Sequence, residues 1–176
     1  MGASDPIKFT CAICGQEHDL THLSLGAAQP ATWRLLTEEE RRSSLLSNDQ
    51  CMIVARGETS YYIRGCLDVQ IRGSDKSFTW GVWCSLSEKS FDEISEHWDD
   101  PLRSKIGPHF GWLCTPIPTY PDTMYLKTHV RQRDPGLRPL VELEPTDYPL
   151  AIHQRDGIES NELKRIVVQV LHPHSA

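Results

Sequence analysis

The sequence predicts an α+β fold: a mainly antiparallel sheet of about five strands, helices packed on one of its faces, and an N-terminal CxxC knuckle. Three observations predict it. Residues 61–71 and 78–86 alternate apolar and polar with the period of two that a half-buried strand needs. Residues 87–98 and 159–171 instead space apolar side chains three and four apart, as an amphipathic helix does. Cys11 and Cys14, near the start, can close on one metal ion through a tight turn.

From the N-terminus, Lys8 to His18 reads as a short strand and the knuckle turn, with Gly15 supplying a positive backbone angle. Residues 19–36 are irregular, punctuated by Gly26 and Pro30, and Trp33, Leu35 and Leu36 are expected to plug the segment onto the core. Thr37-Glu38-Glu39-Glu40 is a capping box whose acidic first turn suits the helix dipole, so a helix is expected over 37–46. Cys51–Ala55 and Tyr61–Ile71 read as strands joined by Arg56-Gly57-Glu58-Thr59. In the second, Tyr61, Ile63, Leu67, Val69 and Ile71 share one face, and Arg64, Cys66, Asp68 and Gln70 the other. In the next strand Phe78, Trp80, Val82, Cys84 and Leu86 face one way, which turns Trp83 the other.

Ser87 opens a helix to about Trp98, with Phe91, Ile94 and Trp98 at helical spacing. Residues 101–121 are loop-rich. Strands near 124–131 and 137–143 flank the turn Asp134-Pro135-Gly136, and Pro145 and Pro149 punctuate the stretch after them. A last helix runs from about Glu159 to Leu171, its stripe made of Leu163, Ile166, Val167, Val170 and Leu171. There is no internal repeat or low-complexity linker. An arm of residues 1–36 and a core domain of residues 37–176 are expected to fold as one unit.

Composition narrows the function. A chain of 176 residues can bury a full core. Its formal net charge of −6 disfavours nucleic acid, which needs a basic face, and permits a basic protein partner. Residues 1–6 resemble neither a secretory leader nor a myristoylation signal, and no apolar run is long enough to span a membrane. The expectation is a cytoplasmic protein, off the membrane, with its six cysteines reduced.

The candidate metal ligands are Cys11, Cys14 and His18, with zinc as the ion and a structural role. Cys51, which opens the first core strand where the arm could dock, is favoured as the fourth; Cys66 and His22 are alternatives. A redox CxxC would sit at a helix N-terminus, and the residues after Gly15 do not read as one. Arg64 could clamp an anion, or pair internally with Asp49 or Asp68. Trp83 and Trp112 are the candidate partner contacts, from the aromatic group Trp80, Trp83, Phe110 and Trp112. Trp80 and Trp83 can both be core only if the sheet is covered on both faces. Arg131, Arg133 and Arg138 flank a turn and read as solvated, and His109, His129 and His153 are scattered. Cys114 with His109 is the one thiol–histidine pair to weigh. Phosphate-loop, dinucleotide-binding, nucleophile-elbow and zinc-protease signatures are absent from the sequence.

Several segments together resemble a known family. They are Phe9-Thr10-Cys11 through Cys14-Gly15 to His18, Ser47 to Ile53, Ile63 to Leu67 and Trp80 to Ser87. Phe110 to Leu113, Tyr120 to Thr123 and Glu142 to Asp147 continue the likeness across nearly the whole chain. The family is the largely bacterial domain of unknown function 2199. The resemblance implies a compact single domain and carries no activity with it. Members often have histidine where this chain has Arg131 and Tyr148, so a histidine base at either position is not available here.

These readings converge on a non-enzymatic cytoplasmic protein-binding domain with a structural zinc knuckle, an inhibitor or immunity-type protein being one concrete form. The alternatives are a metal-dependent hydrolase and a small-molecule sensor.

Overall fold

A computed structural model of the chain describes residues 7–20 and 24–173. Strands β1 (Lys8–Thr10) and β2 (Glu17–Asp19) form a separate antiparallel hairpin across the knuckle. Next come β3 (Ser24–Gly26), a 3-10 turn over Ala31–Leu35, and α1 (Glu38–Arg42). The capping box at Thr37 and Glu40 forms as the sequence predicts. The helix nevertheless stops well before residue 46. Ser44 Oγ donates to Glu40 O and accepts from Val54 N, which ends the turn and feeds the chain into β4 (Leu45–Leu46) beside β5 (Gln50–Ala55).

Arg56 and Gly57 make a two-residue hairpin turn, both with positive φ (53° and 80°), into β6 (Glu58–Gln70). Strand β7 (Ser77–Leu86) returns along it in register from Tyr61↔Leu86 to Gln70↔Ser77. Beyond it lie α2 (Glu88–Glu96), capped by Ser87, a 3-10 turn over Arg103–Lys105, β8 (His109–Leu113), β9 (Lys127–Arg131) and β10 (Leu140–Leu143). Helices α3 (Pro149–Asp156) and α4 (Ser160–Leu171) complete the fold. Pro149, which reads in sequence as a loop marker, stands in the first turn of α3, where its missing N–H costs nothing.

The sheet is a barrel and not an open layer. Strands β6, β7, β8, β9 and β10 pair in turn, and β10 closes back on β6 through the parallel pair Leu140↔Cys66. Strands β5 and β4 extend the sheet from β6, and β3 adds to β7. Closure comes from the length of β6. Its first half uses one edge to pair β5; beyond Arg64 the same edge is free, and Cys66 N donates to Pro139 O at 2.8 Å. Gly65 makes the approach possible, since a Cβ there would lie 2.6 Å from Val141 Cγ2.

Two apolar clusters flank β6 and β7. The larger holds Ile63, Leu67, Phe78, Trp80 and Val82 with Leu163 and Val167 of α4. The smaller gathers Cys51, Ile53, Tyr62, Trp83 and Cys114, with Trp33 and Leu36 of the N-terminal segment against it. Both tryptophans of β7 are therefore buried, because the sheet is covered on both faces rather than by helices on one. Leu35, expected to pack beside Trp33, is instead 80% exposed, and Leu171 lies outside the buried stripe of α4.

Candidate metal centre

The N-terminal hairpin builds most of the centre. Cys11 directly follows β1, the chain turns through Cys14, and Gly15 adopts φ +69°. Gly15 N donates to Cys11 O, and Cys11 N to Gln16 O, both at 2.8 Å. His18 on β2 faces Phe9 across the ladder, their rings 5.4 Å apart. Ile7 and Phe9 pack on the main core and Leu20 is buried within it, so the knuckle has a fixed seat.

The fourth residue arrives from the far end of the chain. His172 caps α4, its backbone N–H bonded to Val168 O. Its Nε2 lies 3.5 Å from Cys11 Sγ, and His18 Nε2 lies 3.5 Å from Cys14 Sγ. One ligand atom from each of Cys11, Cys14, His18 and His172 falls within 4.8 Å of every other, and this group could hold a metal ion. Cys11 is buried and Cys14 exposed. The backbone N–H of Cys14, and less that of Ile13, points at Cys11 and holds its thiol below the ordinary value, partly against desolvation. That favours the thiolate, the form that ligates.

Cys51 is not part of this group. It is 1% exposed in the small cluster, and burial pushes its thiol up to about 12. Strand β5 lies on β6; Trp33 and Leu36 of the arm dock on its cluster, but the knuckle itself seats on the larger one through Ile7, Phe9 and Leu20. Cys66 lines a different cleft, and His22 falls outside the described residues. The sequence signal for the fourth residue of the cluster was His172-Pro173-His174, directly after an apolar helical stripe.

Trp83, expected as a partner contact, is 0% exposed, and its Nε1 donates to Ala27 O at 3.1 Å. Trp112 does reach solvent at 39% exposed, stacked edge-on against Phe110 at 5.2 Å, with Phe110 itself 44% exposed. His129 joins them, 6.3 Å from Phe110. Arg64 makes no ion pair among the described residues. Asp49 pairs with Arg138 at 2.6 Å, and Asp68 accepts from Thr79 Oγ1 at 2.6 Å. Arg64 reaches only Asn48 O, at 3.5 Å, and its Nε is buried without a partner.

Cys114 and His109 do not act as a pair. Cys114 Sγ donates to Trp112 O, whereas His109 Nε2 meets Glu93 Oε2 at 2.8 Å. A polar chain that the sequence did not suggest links Tyr120 Oη to His153 Nδ1 (2.8 Å) and His153 Nε2 to Glu162 (3.4 Å). Burial, more than the charge of Glu162, raises the Tyr120 phenol, so it stays protonated in its hydrogen bond with His153 Nδ1.

Among the described residues, no helix is long and apolar enough to cross a membrane. No curated protein and no solved structure matches the chain. A family model described as an uncharacterized protein conserved in bacteria (DUF2199) matches residues 10–158. The match takes in Cys11, Cys14 and His18 and ends before His172. The chain belongs to this bacterial family.

Proposed function

We propose that the chain is a non-enzymatic cytoplasmic binding domain, clasped by a structural zinc ion, that recognises a basic protein through the aromatic outer face of β8 and β9. The observation that carries the zinc reading is the ligand geometry. Zinc–sulfur and zinc–nitrogen bonds of about 2.3 and 2.05 Å at a tetrahedral angle separate sulfur from nitrogen by about 3.6 Å. Two of the four sulfur–nitrogen separations are 3.5 Å, and all four ligand atoms lie within 4.8 Å of one another. Two thiolates and two imidazoles are soft and borderline donors that suit zinc and not magnesium or calcium. Four protein ligands also fill a tetrahedral site, which leaves no position for the water that a hydrolase would activate.

The partner surface rests on Phe110 and Trp112, a pair of exposed aromatics beside the ion pairs Lys127–Glu144 and Arg131–Glu142. Exposed aromatic anchors with a charged rim are the pattern of a binding hot spot, and the formal net charge of −6 favours a basic partner. An inhibitor or immunity-type protein is one form this would take.

The test is elemental mass spectrometry on untagged protein, wild type against Cys14→Ser, followed by cross-linking in the native host. About one zinc per chain, lost in the variant together with thermal stability, supports the clasp. A stoichiometric basic partner cross-linked at position 112 and lost in Phe110→Ala supports the surface. Metal-free wild type removes the first part, and a Phe110→Ala variant that captures the same partner equally well removes the second.

A further inference from the structure

The three arginines around the β9–β10 turn have different surroundings. Arg131 pairs with Glu142 across the ladder. Arg133 and Arg138 instead line a cleft of about 340 Å³ together with Arg103, Asp49, Cys66 and Trp98. Arg103 is 1% exposed, with its guanidinium 4.0 Å from the centre of the Trp98 ring. It donates to Gln132 Oε1, Trp98 O and Leu137 O, all neutral acceptors. Arg133 donates to Arg138 O and to Cys66 Sγ. Arg138 holds Asp49, the one carboxylate among the residues that line the cleft.

Three guanidinium groups thus line the cleft with one carboxylate, and with Asp99 acting on Arg103 from outside the lining the arginines still outnumber the acids, in a chain whose formal net charge is −6. Arg64 stands close enough to add to the excess. Burial first, and the charge of Arg138 second, make its protonation harder. Gathering like charges in a partly desolvated cleft is costly unless something of opposite sign enters it. Among the described residues Arg133 Nη1 and both terminal nitrogens of Arg138 keep no protein acceptor. Guanidinium N–H pairs of this kind match the oxygens of phosphate and carboxylate.

The geometry points to a binding site for a small dianion, a phosphate monoester or a dicarboxylate, held between Arg133 and Arg138 over the buried Arg103. The neighbouring surface sets the ligand's direction. A second cleft of about 410 Å³ meets the first at Cys66 and carries Asp68 and Glu142, its one cation Arg155 being paired with Asp156, so the anionic end belongs with the arginines and the remainder lies along β10. This site is separate from the metal centre and meets the rim of the Phe110–Trp112 face at Glu142.

Calorimetric titration of the metal-loaded full chain near pH 8 tests it, with inorganic phosphate and malonate as probes and sodium chloride matched for ionic strength. Saturable binding in the millimolar range is expected. Binding of phosphate alone assigns a phosphate monoester, and binding of malonate alone a dicarboxylate. Losing a charged hydrogen bond costs roughly tenfold or more in affinity, so Arg133→Gln should weaken binding by about that factor. Arg42→Gln, on α1 and outside both clefts, should leave it unchanged. A readout on wild type avoids any folding defect in the variants: the bound anion should slow alkylation of Cys66 by iodoacetamide several-fold. The site is overturned if neither anion binds above chloride, if Arg42→Gln is as damaging as Arg133→Gln, or if Cys66 reacts at the same rate with and without the anion.

Discussion

Replacing His172 with alanine isolates the long-range part of the metal centre. Cys11, Cys14 and His18 lie within one hairpin, so they constrain little of the unfolded chain. The Cys11–His172 contact spans 161 positions and closes almost the whole chain into a loop. The loop-entropy relation for a covalent link of that span gives about 5 kcal/mol at 25 °C, an upper bound for a link held through a metal. A loss of about 2–5 kcal/mol is expected, and at roughly 2–4 °C per kcal/mol for a chain of this size Tm should fall by on the order of 10 °C. The assay is calorimetric unfolding of zinc-loaded and chelated protein, each as wild type, His172→Ala and His172→Cys. The cysteine variant restores a fourth ligand and should recover most of the loss. The reasoning also requires the wild-type advantage to vanish in chelator, since the coupling acts through the ion. An equal Tm difference with and without metal would reduce His172 to a packing residue and refute the clasp.

The packing and charges of the fold lead to three further expected outcomes. Cys51→Ser should keep the metal, as measured by elemental analysis, yet lose about 1–3 kcal/mol in thermal unfolding, because it places a hydroxyl among Ile53, Tyr62 and Trp83. Gly65→Ala should cost about 1–3 kcal/mol in urea unfolding and expose the Cys66 amide to hydrogen exchange, since the new Cβ would meet Val141 Cγ2 at 2.6 Å and Pro139 O at 2.9 Å. The hydrogen bond from His109, and after it the histidine's charge, holds the Glu93 carboxyl below its ordinary value of 4.5. A folded value below the unfolded one gives stability that is present above the unfolded value and lost as pH falls through the folded one. Wild type should therefore lose Tm more steeply than Glu93→Gln below about pH 4.5, and parallel curves would show that the pair contributes nothing.

What was legible in the sequence was local. The alternation of Phe78, Trp80, Val82, Cys84 and Leu86 fixed one face of β7, and the stripe of Leu163, Ile166 and Val167 fixed α4. Ser87 and Thr37 marked helix starts because capping is a contact over three residues. Barrel closure was not legible, because it depends on β6 outrunning β5 and on Gly65 admitting β10, two facts about distant segments. The same limit explains the tryptophans. Period two shows that Trp80 and Trp83 oppose each other, but only the docking of Trp33 and Leu36 covers the second face. In the centre, Cys11, Cys14 and His18 were readable from spacing, whereas His172 depended on where α4 ends in space. The arginine cleft was half visible: Arg133 and Arg138 stood out beside a turn, but Arg103 carried no motif of its own.

The span of the clasp also decides when it acts. The β6–β7 ladder joins segments close in sequence, and such contacts form early because little chain must be gathered to make them. A contact that closes 161 positions, Cys11 with His172, is expected to form only after the intervening strands have found their places. An interaction made after the rate-limiting step leaves the folding rate alone and slows the reverse reaction. A metal ion at this junction would hardly speed the chain's arrival at its native state; it would lengthen the time it stays there, and with it the protein's survival against proteolysis that needs an open chain.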